Sequence, residues 1–273
     1  MQVRARSPCG PHRLLRALDT AHRLPFDRAV TPASSLVHAD GQTPSQWMLF
    51  LHGILGRGGN LRVIARRVVT ARPEWGVALV DLRMHGASQG FPPPHGVAAA
   101  AADLLALDDV VPGPIHGVLG HSFGGKVALE YLALRPESLA HVFTVDSAPS
   151  LRVPEGEPDL RDSPTREVLR LLESLPPRLP SRESLIERAV AAGLARGLGE
   201  WLAMNLERDK DGSGWRLILD LAAIRAMLED YFVDDLWPIV EALPGAVKLH
   251  AIIGDRSGVW RPADRERLAR AAA

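Results

Sequence analysis

The sequence predicts an α/β fold: a doubly wound, mostly parallel sheet with a helical insertion. Three observations carry that expectation. Five short apolar runs recur along the chain, helix-like segments separate the earlier ones, and a long strand-poor stretch interrupts the rhythm before the fifth. The runs are continuous rather than alternating, which suits strands buried on both faces of a parallel sheet.

In order, the runs are Trp47–His52, Gly76–Asp81, Ile115–Gly120, His141–Asp146 and Val247–Gly254. Helical patterns over Asn60–Ala71, Val97–Val110 and Phe123–Arg135 lie between them, and strand–helix–strand succession is the signature of βαβ units. Upstream, Pro25–Val30 and Ser35–Ala39 suggest an antiparallel edge hairpin. From Ser147 to Gly245 no strand is expected, and helices are predicted over Arg161–Ser174, Arg182–Arg196, Glu200–Leu206, Leu217–Asp230 and Asp234–Leu243. An insertion there suits a lid over the strand ends, where open α/β sheets bind ligands. The alternative is a second helical domain, which the prolines of Pro154–Pro180 disfavour. The expected division is a basic, disordered start over 1–22, a core over 23–150, a lid over 151–244 and the remainder of the core over 245–273.

The 32 basic and 32 acidic side chains balance, giving no global attraction to nucleic acid or to an anionic membrane. Cys9 is the only cysteine, so no internal disulfide forms, which fits a reducing, cytoplasmic setting. Arginines at 4, 6, 13 and 16 with no acid before Asp19 leave an organelle-targeting segment as the alternative. No apolar run approaches the ~20 residues that span a bilayer. No ligand spacing for a metal and no phosphate loop with its lysine is present, and no cofactor is expected. Gly56-Arg57-Gly58-Gly59-Asn60 is better explained as part of the His52 loop.

Gly120-His121-Ser122-Phe123-Gly124 fits Gly-x-Ser-x-Gly, with a strand before it and a helix after it. That context makes a nucleophile elbow: a tight turn projects the serine Oγ above the sheet, and glycines flank it where Cβ atoms would collide. The following helix N-terminus favours negative charge. A Gly-rich structural turn is the bland alternative. His52-Gly53-Ile54-Leu55-Gly56 closes the first clear strand, and such a loop can offer a backbone N–H to an oxyanion. Ile54 and Phe123 are the expected donors, while His52 is expected to brace the loop rather than act as a base. Trp201, Met204, Met227 and Trp237 line either an acyl pocket or ordinary core.

With Asp81-Leu82-Arg83-Met84-His85-Gly86-Ala87-Ser88 added, the chain resembles the α/β-hydrolase superfamily. Its members commonly carry His-Gly, Asp-x-Arg-x-His-Gly-x-Ser and Gly-x-Ser-x-Gly in this order. It is most similar to the small bacterial esterase and ABHD11-like branch, through His52–Gly56 with Asn60-Leu61, Gly120–Lys126, Val145–Pro149, Asn205-Leu206 and Trp215–Leu217. The likeness runs from about Trp47 to Trp260. It implies a structural Asp81–Ser88 loop, in which Asp81, Arg83 and His85 have no chemical role. It also implies an acid in a Val-Asp-x-x-Pro run, here Asp146, with Asp255 as the fallback. An Asx turn or helix cap is the structural alternative for Asp146.

The family's histidine is expected on a loop after one further strand. The sequence ends at Ala273 within the helix that begins near Arg261, and no histidine follows His250. The expectation is a sheet lacking its last strand and a triad lacking its base. Truncation, a changed reading frame or lost turnover would each produce this. The expected activity is serine hydrolysis of a carboxylic ester or thioester, a small-molecule acyl substrate, through an acyl-enzyme on Ser122. A non-catalytic binding or interaction protein on the same fold is the alternative. The sequence leaves the oligomeric state open.

Overall fold

The computed structural model describes residues 30–152 and 164–271. Residues 25–29 of the expected hairpin, the basic start with Cys9, and residues 153–163 fall outside this range. A six-stranded sheet forms the centre, ordered β1-β3-β2-β4-β5-β8. Its strands are β1 Ser34–Val37, β2 Gln46–Leu51, β3 Trp75–Val80, β4 Ile115–His121, β5 His141–Val145 and β8 Lys248–Ile252. Only β1 runs antiparallel, paired with β3 from Ser34 opposite Val80 to Val37 opposite Val77. The other pairings are parallel.

The apolar runs work as anticipated because both sheet faces are covered. Every residue of β3 is buried, as is all of β2 after Gln46. Each buried Val or Leu of these strands contributes about 2 kcal/mol of burial free energy. The Phe123–Leu134 helix is buried almost all round, because it lies between the sheet and helices of the insertion. The Arg62–Ala71 helix covers the opposite face with Ala65 and Val69 and turns its arginines to solvent.

Several expected boundaries move. The Asn60–Ala71 segment is a 3₁₀ turn, Gly58–Leu61, followed by the Arg62–Ala71 helix. The second helix stops at Asp103 and continues as a 3₁₀ turn to Asp109. The region 147–245 does contain strands, contrary to expectation: β6 Leu206–Arg208 pairs antiparallel with β7 Trp215–Leu217. The polar turn between them, with Gly212 at φ 73°, closes the ribbon, and a period over three residues is too short to reveal it. The helix expected from Leu217 therefore begins at Leu221, where the Asp220 carboxylate caps the N–H groups of Ala222 and Ala223 at 3.0 Å. Other insertion helices are Pro164–Glu173, Arg182–Ala191, Arg196–Leu202 and Trp237–Glu241.

Register decides what meets at the top of the sheet. Leu51 lies opposite Val80 and Gly120, Gly120 opposite Thr144, and Val145 opposite Ile252. The loops after β2, β4, β5 and β8 consequently converge at the carboxyl edge, where open α/β sheets place their ligands.

Candidate active site

Ser122 sits between β4 and the Phe123–Leu134 helix at φ 51°, ψ −116°. That region is unfavourable for a non-glycine residue by about 1–3 kcal/mol and persists only where surroundings enforce it. Here the Ser122 N–H donates to the Val145 carbonyl at 3.0 Å, and the Ser122 carbonyl accepts from the Gly125 N–H at 2.8 Å. The turn also needs close backbone approach. A Cβ on Gly120 would stand 1.9 Å from the Gly124 carbonyl oxygen, and one on Gly124 would stand 2.6 Å from that of His52.

The His52–Gly56 loop is held from behind. Leu55 has φ 64°, its N–H donates to His85 Nε2 at 3.0 Å, and its carbonyl accepts from Asn205 Nδ2 at 2.8 Å. The Gly56 N–H is used by the Gly53 carbonyl at 2.9 Å. His52 Nε2 accepts from the Leu82 N–H at 2.9 Å while its Nδ1 donates to the Gly53 carbonyl at 2.8 Å. His85 Nδ1 donates to the Arg83 carbonyl at 2.9 Å. Both rings must therefore be neutral, each with its proton on Nδ1. Burial agrees: it lowers the His52 pKa to about 4, and burial with the neighbouring His52 lowers His85 to about 3. His52 thus braces the loop, as expected. The Ile54 N–H makes no hydrogen bond among the described residues, and the Phe123 N–H stands at the first position of its helix, where no intrahelical acceptor exists.

The Asp81–Ser88 loop proves structural. Asp81 accepts from the N–H groups of Gly58 and Ala87, at 2.8 and 2.9 Å. Buried Arg83 forms a two-pronged pair with Asp103, at 2.6 and 2.8 Å. Burial raises the Asp103 pKa, and Arg83 opposes that rise.

Asp146 ends β5 at φ 48°, its N–H donating to the Ile252 carbonyl at 2.8 Å. Its Oδ2 accepts from the Ser257 hydroxyl at 2.8 Å, and Ser257 Oγ accepts from the Val259 N–H at 3.1 Å. Its Oδ1 is buried and has no hydrogen-bond partner among the described residues. Asp255 is exposed, and the loop that carries it serves Asp146 through Ser257.

No described histidine is hydrogen-bonded to Ser122. His141 and His250 approach each other at 3.4 Å, and His250 stacks on Phe143 at 4.4 Å, so His250 packs within the sheet. His116 faces Gln46 at 3.4 Å. His121 lies beside Gly53, where an added Cβ would stand 2.9 Å from its Nδ1, and burial lowers its pKa against the charge of Asp146. Beside the turn stands the tyrosine of the Leu221–Val233 helix: buried Tyr231 has its ring 6.0 Å from that of Phe123. Burial raises its pKa, and Arg152 opposes the rise. Sequence reasoning missed Tyr231 and Ser257, because no local motif marks side chains that meet across more than 100 residues. Of the insertion's large side chains, Met227 and Trp237 are core, and Trp237 Nε1 donates to Ser150 Oγ at 2.6 Å. Met204 lies near Asn60, whose amide reaches its sulfur at 4.0 Å. Among the described residues no cluster of three or more His, Cys, Asp or Glu could hold a metal ion, and no helix is long and apolar enough to cross a membrane.

A family model described as alpha/beta hydrolase fold matches residues 46–217. The chain is 29% identical over 195 residues to the sn-1-specific diacylglycerol lipase ABHD11 of Danio rerio, covering 70% of this chain and 58% of the relative. It is 33% identical over 145 residues to the lipase LipV of Mycobacterium tuberculosis, covering 53% and 50%. The chain therefore spans between a half and three-fifths of the length of these relatives. A marine microorganism esterase superposes with a TM-score of 0.71 at 20% identity, over 87% of this chain and 85% of that one. A thioesterase domain from the curacin biosynthetic pathway superposes with a TM-score of 0.62 at 21% identity, over 88% and 89%.

Proposed function

From the premise that the chain belongs to the α/β-hydrolase fold family, we propose that it cleaves a carboxylic ester or thioester through an acyl-enzyme on Ser122. The observation that carries this reading is the strained Ser122 turn at the end of β4, and the N–H groups of Ile54 and Phe123, which have no hydrogen-bond partner among the described residues, support it as the oxyanion donors. Ser122 Oγ attacks the acyl carbonyl, and the two N–H groups receive the oxyanion of the tetrahedral intermediate. Collapse expels the alcohol or thiol, which takes up the proton that Oγ gave up. Water then attacks the acyl-enzyme, releasing the acid and restoring the hydroxyl. The insertion, which brings Asn205 and Tyr231 to the strand ends, acts as the lid.

Proton transfer needs a base oriented by an acid. Asp146 is the proposed acid, and its buried, unpartnered Oδ1 is an acceptor suited to an imidazole N–H. No described side chain supplies that imidazole. The same observation favours a second reading, a binding protein on the hydrolase fold with no turnover.

A fluorophosphonate probe and p-nitrophenyl esters separate the two. Ser122-dependent labelling and turnover, both absent in Ser122→Ala, are expected of the enzyme. Folded protein with neither supports the binding reading. Added imidazole should raise ester turnover above its own protein-free hydrolysis of the ester only where Ser122 is present, since it can serve as the proton carrier.

A further inference from the structure

A cavity of about 670 Å³ lies between the start of β1, the Gly58–Leu61 turn and the insertion, and none of Ser122, Ile54, Phe123 or Asp146 lines it. That size suits a small organic molecule. Its walls are rich in hydrogen-bond donors. Arg57 and Arg62 both line it. No described residue accepts a hydrogen bond from the Arg57 guanidinium, and no described carboxylate pairs with Arg62. Arg62 Nη2 donates to Ser35 Oγ at 3.1 Å, which leaves the serine proton free to donate in turn. Asn60 Oδ1 accepts from the Arg57 N–H at 2.7 Å, and this fixes which way the amide points. Its Nδ2 then faces Met204, whose sulfur, a weak acceptor, lies 4.0 Å away.

The acceptors of the same walls are already used. Asp81 is the one acid among the described residues that line the cavity. Its Oδ1 takes the Gly58 N–H at 2.8 Å and its Oδ2 the Ala87 N–H at 2.9 Å. Two guanidiniums against one engaged carboxylate leave a net positive wall with open donors. A phosphate monoester answers both features, since it carries a charge of about −1.5 to −2 at neutral pH and three strong acceptor oxygens. The planar donor fork of an arginine matches such oxygens in pairs. The cavity also exceeds what a bare phosphate group fills, and Met204 supplies a polarisable apolar wall for an organic tail.

We propose that this cavity binds a small organic phosphate monoester. Arg57 and Arg62 hold the phosphate, Asn60 and Ser35 donate to its oxygens, and the tail rests on Met204. The site is separate from the Ser122 turn and does not depend on Ser122 being a nucleophile. It adjoins that turn's support all the same: Met204 precedes Asn205, the donor that holds the Leu55 carbonyl.

Calorimetric titration of the full chain with phenyl phosphate, inorganic phosphate and phenol tests this. Phenyl phosphate should bind about tenfold more tightly than inorganic phosphate, and phenol should not bind. Arg57→Met and Arg62→Met should each weaken phenyl phosphate about tenfold, with circular dichroism as the folding control. Arg57→Gln serves if Arg57→Met does not fold. Arg66→Met removes a guanidinium from the same helix but not from this cavity, and should leave the affinity unchanged. A Cβ on Gly59, which lines the cavity, meets no heavy atom within 4 Å, so Gly59→Phe should fold and abolish binding by filling the space. No binding of phenyl phosphate up to about 10 mM, equal affinity for inorganic phosphate, binding that survives Gly59→Phe, or an equal loss in Arg66→Met overturns the inference. Ser122→Ala should bind as the unaltered chain does, and a loss there would move the ligand to the Ser122 turn and overturn the inference too. Because the readout is binding, absent ester turnover sinks the hydrolase reading alone.

Discussion

The two sides of Ser122 are built differently. On the side of the His52–Gly56 loop, the polar groups behind the proposed oxyanion donors are spoken for: Leu55 is gripped by His85 through its N–H and by Asn205 through its carbonyl. On the side of Asp146, one carboxylate oxygen is held by Ser257 and the other is buried without a described partner. The first side is made by the sheet core and two neutral histidines, and the second by loops at the ends of β5 and β8. The contrast teaches that backbone donors can be fixed by buried partners behind them, while a carboxylate held by loops keeps one oxygen open.

Substitutions that add one methyl group test how rigid each side is. Gly124→Ala places a Cβ 2.6 Å from the His52 carbonyl oxygen and 2.7 Å from that of Leu51, both backbone atoms that cannot yield cheaply. A loss of about 4 kcal/mol is expected in urea denaturation, at the diagnostic end of single substitutions. If Gly124→Ala is nearly neutral, the loop side is softer than described.

Acid should attack the same side. The folded pKa values of about 4 for His52 and about 3 for His85 lie below the ordinary 6.5. As pH falls below 6.5 the unfolded chain binds protons first. Their stabilising contribution is thus full above pH 6.5 and is lost progressively toward pH 4 and 3. Each histidine should lower stability by about 1.4 kcal/mol per pH unit in that window. Denaturation midpoints at pH 7, 6 and 5 measure this, and His85→Gln, which cannot titrate, should flatten the profile.

Asn205→Ala removes the donor to the Leu55 carbonyl and leaves that buried acceptor open. The expected cost is about 1–3 kcal/mol. A larger fall in kcat than rise in KM would place the effect on the oxyanion donors rather than on substrate binding.

The smallest effect is expected across the site. A Cβ on Gly254 would meet Ser257 Cβ at 3.3 Å and Asp146 Oδ1 at 3.8 Å, so Gly254→Ala needs a shift of only a few tenths of an ångström. A stability change within about 1 kcal/mol is expected. A loss as large as that of Gly124→Ala would erase the contrast between the two sides.

Much of the scaffold was legible in the sequence because its signals are local. A run such as Gly76–Val80 announces a strand buried on both faces, and Gly120–Gly124 between strand and helix announces the Ser122 turn. The ribbon of Leu206–Arg208 and Trp215–Leu217 was illegible, since three residues cannot show a period and its pairing depends on the turn between. Ser257 carries no signal of its own in the sequence, yet it is the donor that holds Asp146. Tyr231 lay just past the expected Leu217–Asp230 helix and carried no signal, because only packing brings the Leu221–Val233 helix to Phe123, 108 positions earlier.

By itself, then, the sequence determined the parallel strands, the turn that carries Ser122 and the loop that carries Ile54, because each rests on short-range sterics and hydrophobic pattern. Tertiary structure alone decided which groups surround that serine. It made His52 and His85 neutral braces, left Asp146 Oδ1 unpartnered among the described residues, and set the ring of Tyr231 beside Phe123. Those outcomes depend on burial and on contacts between distant segments, which no local pattern encodes.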